Sequence, residues 1–152
     1  MALEVAALLR PNAVLLIGSC RSPDAIVPLV RSLGSLVPAI PIPMFYPRRW
    51  LLGLIALSLE RLSPEQRALF WSMTSTDFPA FLKWGIQAIR SWRPTPVSAP
   101  VLHIHGSDDR LIPVRYVAPD RVVPGGRHLL SLTHSQEVNA FPLEAVRGSA
   151  AA

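Results

Sequence analysis

Two short segments in this 152-residue chain carry the residue types of acid–base catalysis. The first, 103–113, reads His-Ile-His-Gly-Ser-Asp-Asp-Arg-Leu-Ile-Pro and predicts a buried strand whose glycine turn presents an acid. The second, 124–128, reads Pro-Gly-Gly-Arg-His and predicts a glycine-rich loop that presents a histidine after another strand. An acid and a histidine at neighbouring strand ends are two members of a nucleophile–histidine–acid triad.

The third member, the nucleophile, has no motif in the sequence. Gly-x-Ser-x-Gly, which forms the sharp turn that exposes a catalytic serine, occurs nowhere in the chain. The segment 18–22 offers Ser19 and Cys20 after a strand, but it lacks the second glycine and Pro23 follows at once. We therefore interpret this segment as an ordinary loop and expect the chain by itself to be catalytically inactive, since losing a nucleophile costs on the order of a millionfold in turnover.

Composition narrows the class of protein. Hydrophobic residues make up 50% of the chain and charged residues only 16%, fewer than a freestanding domain usually carries. Part of a larger sheet has this composition because some of its buried surface belongs to neighbouring segments. The apolar run 50–59 is about half as long as a bilayer requires, and the N-terminus has no basic region or cleavage site. We predict no transmembrane helix and no signal peptide, and hence a cytoplasmic protein.

The distribution of charge and of metal-ligating residues argues against nucleic-acid-binding proteins and metalloproteins. The net charge is +5, but the 14 arginines and single lysine are scattered, and only Arg48 and Arg49 are adjacent. This pattern argues against nucleic-acid binding. The single cysteine, Cys20, excludes an intrachain disulfide and a cysteine-based metal cluster. The four histidines show no ligand spacing, so we expect neither a metal nor a cofactor.

The apolar patterning predicts an alternation of helices and strands. We expect helices over 2–9, 22–33, 49–61, 64–71, 78–91 and 135–141, and short buried strands over 13–17, 100–105 and 121–124. Ser63 and Gln66 have the spacing of a capping box, and Pro142 is expected to end the last helix. The domain organisation that follows is a partial α/β core (1–36), a helical insert (37–95), a second part of the α/β core (96–145) and a frayed tail (146–152).

The order of these motifs along the chain is informative. Leu-Ile-Gly-Ser follows the first strand, the helical insert comes next, then Pro-Val-Leu-His-Ile-His-Gly-Ser-Asp-Asp-Arg-Leu-Ile-Pro, and finally Val-Pro-Gly-Gly-Arg-His. In this order, residues 1–141 resemble the C-terminal half of an α/β-hydrolase-fold protein. The resemblance implies an α/β fold with about three parallel strands and a helical lid, with Asp109 as the catalytic acid and His128 as the catalytic base. It also implies that the nucleophile and the oxyanion-hole donors precede Met1 in a longer protein.

The resemblance implies a function as well. The full-length form would hydrolyse a small apolar or acyl ester, or a related acyl bond, by serine attack, while the substrate itself stays open because this fold supports many reactions. The span from Asp109 to His128 is short for the family, leaving room for barely one turn at 114–118.

Other residues compete for the two assigned roles. Asp108 is the alternative acid, although the family pattern, with its acid three residues after the glycine, favours Asp109. His134 is the alternative base, but we interpret it as an exposed residue at the start of a helix. His103 and His105 alternate along a buried strand, which favours satisfied core histidines over catalytic ones.

Other functions remain open at this stage. The aromatic residues concentrated in the insert form either the core of a small helical unit or the apolar wall of an acyl pocket. A non-catalytic protein that binds a partner or an apolar ligand through this insert is the alternative to a hydrolase. A weaker idea is a lid that rests on membranes through 50–59. In the strand order that the resemblance implies, the strand 13–17 normally has a neighbour that this chain lacks, which predicts poor solubility or self-association through the exposed sheet edge.

Overall fold

The chain folds as an alternation of helices and strands. The computed structural model describes residues 2–34, 36, 39, 41, 60–73 and 78–150. Their α-helices and strands, in chain order, are α1 (Ala2–Leu9), β1 (Val14–Ile17), α2 (Pro28–Gly34), α3 (Pro64–Met73), α4 (Phe78–Ser91), β2 (Val101–Gly106), β3 (Arg121–Val123), α5 (Leu130–Thr133) and α6 (Ser135–Ala150). In the described residues no helix is long and apolar enough to cross a membrane.

The three strands form one parallel sheet in the order β1-β2-β3. In the register, Val14 lies opposite Val101 and Ile17 opposite Ile104, while β3 pairs with the end of β2 through Gly106 and Val123. Parallel strands need crossovers, and the insert and the 107–120 segment supply them. The prediction of an α/β fold with about three parallel strands is therefore confirmed, and β1 is an edge strand among the described residues.

Apolar residues cover both faces of the sheet because the side chains of a strand alternate between its faces. On one face, α1 packs against β1 in a cluster formed by Leu3, Ala6, Val14 and Leu16. On the other face, α5 and α6 pack against the strands in a cluster formed by Ile104, Val123, Leu130, Val138 and Phe141, with Leu15 and Leu102 beside it. Continuous apolar strands between two helical layers are typical of parallel sheets.

The helix predicted over 22–33 divides into two pieces. Ser22 caps a short 3₁₀ turn, Pro23–Ala25, by accepting a hydrogen bond from the backbone N–H of Asp24 at 3.2 Å. The chain is then extended at Ile26, with φ −78° and ψ 137°, and α2 begins only at Pro28. A proline disfavours helical geometry in the residue before it and has no N–H to donate, so the break lies before Pro28.

The helices of the insert largely follow the prediction. The capping box is present: the Ser63 N–H donates to Gln66 Oε1 at 2.9 Å, and the Gln66 N–H donates to Ser63 Oγ at 3.2 Å. α3 runs two residues beyond the predicted end at 71, and α4 has the predicted bounds. Of the helix predicted over 49–61, residues 49–59 lie outside the described residues, and Glu60 and Arg61 are not helical.

The prediction that Pro142 ends the last helix is wrong. α6 continues through Pro142 to Ala150, so that part of the segment predicted as a frayed tail is helical. Val138 and Phe141 are both 6% exposed in the core, and this packing anchors the helix on the turn before the proline. A proline inside a helix costs about 3 kcal/mol, a cost that tertiary packing can offset.

Candidate functional site

The acid lies in a tight turn that begins where β2 ends. Asp109 Oδ1 accepts hydrogen bonds from the backbone N–H groups of Leu111 and Ile112, both at 2.8 Å. The Asp109 side chain is fully buried. Buried carboxylates are stable in the charged form only when hydrogen bonds compensate for lost water, and here the turn itself provides two of them.

The histidine lies in the loop that follows β3, and this loop is joined to the acid turn. The Asp108 N–H donates to the Gly126 carbonyl at 2.8 Å, and the Gly125 N–H donates to Ser107 Oγ at 2.8 Å. A Cβ on Gly106 would lie 2.3 Å from the Gly126 carbonyl oxygen, so only glycine permits this approach. The two loops thus form one unit at the carboxyl edge of the sheet.

This unit brings Asp109 and His128 into direct contact. His128 Nδ1 lies 3.0 Å from Asp109 Oδ2. Burial by itself raises the pKa of Asp109, but the hydrogen bonds from His128 and from the Ile112 N–H outweigh it and lower that pKa below its ordinary value. The carboxylate is therefore charged at neutral pH and holds a proton on His128 Nδ1.

The other nitrogen of His128 is available. Nε2 has no hydrogen-bond partner among the described residues, and 31% of the side chain is exposed. A neutral imidazole with its proton on Nδ1 carries a lone pair on Nε2. The pair can therefore take a proton at Nε2 and stabilise the resulting imidazolium through Asp109, which is the chemistry of a general base.

Two further histidines extend the network behind the acid. His105 Nε2 lies 2.7 Å from the Ile112 carbonyl oxygen and 3.4 Å from Asp109 Oδ2. Both of these oxygens are acceptors, so Nε2 carries the proton and Nδ1 accepts from His103 Nε2 at 3.2 Å. The prediction that His103 and His105 are satisfied core histidines is confirmed, with 1% and 0% exposed. The contact of His105 with the acid is a feature that the sequence did not reveal.

The loop that carries His128 and the helix α5 that follows it are also held from the insert. Glu60 Oε1 accepts the backbone N–H of Leu129 at 3.0 Å, and Gln66 Nε2 donates to the Leu132 carbonyl at 2.9 Å. Sequence reasoning missed both contacts. Gln66 carried a signal through its capping box, whereas no local pattern distinguishes Glu60.

Glu60 is a buried carboxylate, and only one of its two oxygens has a hydrogen-bond partner among the described residues. It is 9% exposed, and its Oε2 has no hydrogen-bond partner among the described residues. Burial raises the pKa of Glu60, against the Leu129 hydrogen bond and the charge of His128, which lower it. Its position behind the backbone of the His128 loop makes it a structural support of that loop.

The structure separates the competing candidates. Asp108 is exposed and accepts a hydrogen bond from Ser107 Oγ at 2.8 Å. His134 directly precedes α6, where a helix start was predicted, but it is half-buried and not exposed as expected, with Nδ1 2.9 Å from Thr133 Oγ1. Neither residue contributes to the Asp109–His128 contact.

The loop after β1 carries the single cysteine of the chain. Burial raises the pKa of the Cys20 thiol, and the charge of Asp109 raises it further, while a backbone hydrogen bond from Ser22 lowers it. A catalytic cysteine needs the opposite shift, because the thiolate is the nucleophile.

No known protein family and no curated protein matches the chain. Over the described part of the chain, no group of three or more His, Cys, Asp or Glu side chains is arranged to hold a metal ion.

Proposed function

We propose that Asp109 and His128 are the acid and the base of an acyl hydrolase of the α/β-hydrolase type. The observation that carries the proposal is the 3.0 Å contact between His128 Nδ1 and the buried Asp109 Oδ2. In such an enzyme His128 Nε2 takes the proton of the attacking hydroxyl and later delivers it to the leaving group. Asp109 fixes the tautomer and stabilises the imidazolium.

The position of the pair in the fold supports the proposal. Both residues follow parallel strands at the carboxyl edge of the sheet, where α/β proteins place their sites. The helical insert between β1 and β2 fits the role of a lid. The sequence order of strand, insert, acid turn and histidine loop is the order that the resemblance implies.

The reaction requires a nucleophile, and this sequence contains no serine motif that would supply one. Gly-x-Ser-x-Gly is absent from the 152 residues, and Cys20 has an unsuitable pKa shift. The proposed activity therefore belongs to a form of the protein in which further residues supply the serine and the oxyanion-hole donors. Asp109 and His128 without them provide only the proton-transfer half of the mechanism.

The first test is the DNA upstream of the Met1 codon, read in frame. We expect a strand-like apolar run that ends in Gly-x-Ser-x-Gly within a few codons. The protein expressed from that longer reading frame should hydrolyse p-nitrophenyl acetate. The rate should be lost in His128→Ala and kept in His134→Ala, a matched control in the same region. An in-frame stop codon with no serine motif before it would contradict the proposal.

A second function is favoured by the surface of the insert. α4 exposes Phe81 and Trp84, at 64% and 48%, and their ring centroids lie 5.7 Å apart. Large exposed aromatic side chains at one place often mark a binding surface. A non-catalytic protein would use this surface to bind an apolar ligand.

Titration with a fluorescent fatty acid tests this second function. Saturable binding that weakens at least tenfold in Trp84→Ala, but not in Leu143→Ala, would support it. Leu143 is a suitable control because it is 59% exposed and lies on α6, outside the insert. No saturable binding would remove this function.

A further inference from the structure

A cavity of about 450 Å³ opens beside the acid, and its wall is rich in arginine. Its charged lining residues are Arg61, Arg110, Arg115, Arg127, Asp108 and Asp109. Four arginines and two aspartates therefore line it, and one of the aspartates already interacts with His128. The cavity carries an excess of positive charge directly next to the proposed catalytic pair.

Three of the four cavity arginines have no carboxylate partner of their own. In the described part of the chain, Arg61, Arg110 and Arg115 form no ion pair with a carboxylate. Arginines outside the cavity, such as Arg93, also lack an ion pair there, and what distinguishes the three is that they line one cavity together. Guanidinium groups left without a carboxylate at the mouth of a cavity favour binding of an external anion.

Two of the arginines are held in place by their surroundings. Arg127 is only 6% exposed and directly precedes His128 in the loop joined to the acid turn. The Arg115 guanidinium carbon lies 4.7 Å from the ring centroid of Tyr116, and its Nη2 lies 3.4 Å from the Tyr116 hydroxyl. Arginine that is held before binding loses less conformational entropy when a ligand arrives.

We infer that this cavity binds an anionic group, a carboxylate or a phosphate, through its arginines. The planar guanidinium fork matches both groups because it can donate two parallel hydrogen bonds to their oxygens. Val27 and Val114 also line the cavity, so an anion with a short apolar stem fits its lining.

The inference narrows the substrate class of the proposed hydrolase. If the cavity is part of the substrate site, the preferred substrates are acyl compounds that carry a carboxylate or a phosphate away from the reacting carbonyl. This assignment of the anion to the substrate rests on the proposed function, whereas anion binding itself does not.

The test uses the 152-residue protein and two simple anions, inorganic phosphate and acetate. Each is titrated at constant ionic strength with sodium chloride, and binding is followed by NMR through the Arg Nε–H and His128 imidazole signals. We expect a saturable response to at least one anion, weakened at least tenfold in Arg110→Gln and in Arg61→Gln. Arg93→Gln is the control because Arg93 is exposed and does not line the cavity.

The anion that binds more tightly identifies which of the two groups the ligand carries. No saturable response to either anion, or an equal response in the wild type and in all three variants, would overturn the inference. Circular dichroism checks that the variants are folded. If they are not, the wild-type titration alone decides whether the protein binds either anion. Anion binding without a serine motif in the upstream DNA would refute the hydrolase and leave the anion site standing.

Discussion

Oδ2 of Asp109 lies 3.0 Å from Nδ1 of His128, and both loops that carry these residues are fixed to each other by backbone hydrogen bonds. The contact therefore depends on the approach of two loops and not only on two side-chain rotamers. The same oxygen also lies 3.4 Å from His105 Nε2, whose hydrogen bond goes to the Ile112 carbonyl oxygen, so a second imidazole lies beside the carboxylate on its buried side.

Gly106→Ala tests the approach of the two loops. The added Cβ would lie 2.3 Å from the Gly126 carbonyl oxygen, and this backbone atom cannot move without displacing the His128 loop. We expect the free energy of unfolding to fall by about 1–3 kcal/mol, the usual cost of overpacking. Gly85→Ala is the matched control, since nothing lies within 4 Å of the new Cβ, and it should stabilise α4 by about 0.5–1 kcal/mol. Urea denaturation compares the two, and equal stabilities would contradict this account.

Glu60→Ala tests the support of the His128 loop from the insert. Removing the carboxylate leaves the Leu129 N–H without its acceptor, which should cost about 1–3 kcal/mol and speed hydrogen exchange at that amide. Glu60→Gln keeps an acceptor oxygen for the Leu129 N–H, and it should therefore stay within about 0.5 kcal/mol of the wild type. Unchanged exchange of the Leu129 amide in Glu60→Ala would rule out the supporting role.

His103 makes stability depend on pH. Burial, together with the charges of His105 and Arg21, lowers the pKa of His103 from 6.5 to about 4. Between these values the unfolded chain binds a proton that the folded chain does not, so stability falls as the pH is lowered. The loss is roughly 3 kcal/mol when the pH reaches about 4.

Urea denaturation across this pH range measures the effect. In His103→Gln, residue 103 no longer titrates, so the slope of the unfolding free energy against pH should flatten. This expectation holds whatever the stability of the variant at neutral pH. An unchanged slope in this variant would show that other groups cause the dependence.

The edge of the sheet predicts self-association. β1 has a strand on only one side among the described residues, and α1 beside it exposes Leu8 and Leu9, at 83% and 74%. Exposed strand edges and apolar patches favour contacts between copies. We expect dimers or larger species in sedimentation velocity, shifted toward monomer by Leu9→Lys but not by Leu143→Lys. A monomer at every concentration tested would contradict this prediction.

Local patterns predicted most of the secondary structure because they depend on neighbouring residues. The apolar strands and the Ser63–Gln66 capping box are of this kind. The Asp109–His128 contact was also predictable, since it follows from two strand ends at one edge of a parallel sheet together with the resemblance.

Long-range packing explains what the sequence did not predict. The Glu60–Leu129 hydrogen bond joins residues 69 positions apart, and no periodicity encodes it. The contact of His105 with Asp109 depends on the geometry of the turn after β2 and on which ring nitrogen of His105 carries the proton. The helix continues through Pro142 because core packing of Phe141 outweighs a local preference.

The tautomer of His128 tests the central claim most directly. Nitrogen NMR at a pH where the imidazole is neutral distinguishes a proton on Nδ1 from a proton on Nε2. We predict the Nδ1–H form in the wild-type protein and a mixture of both forms in Asp109→Asn, because the amide can donate as well as accept. His128 in the Nε2–H form in the wild type, or an identical spectrum in Asp109→Asn, would contradict the claim that Asp109 orients His128 as a base.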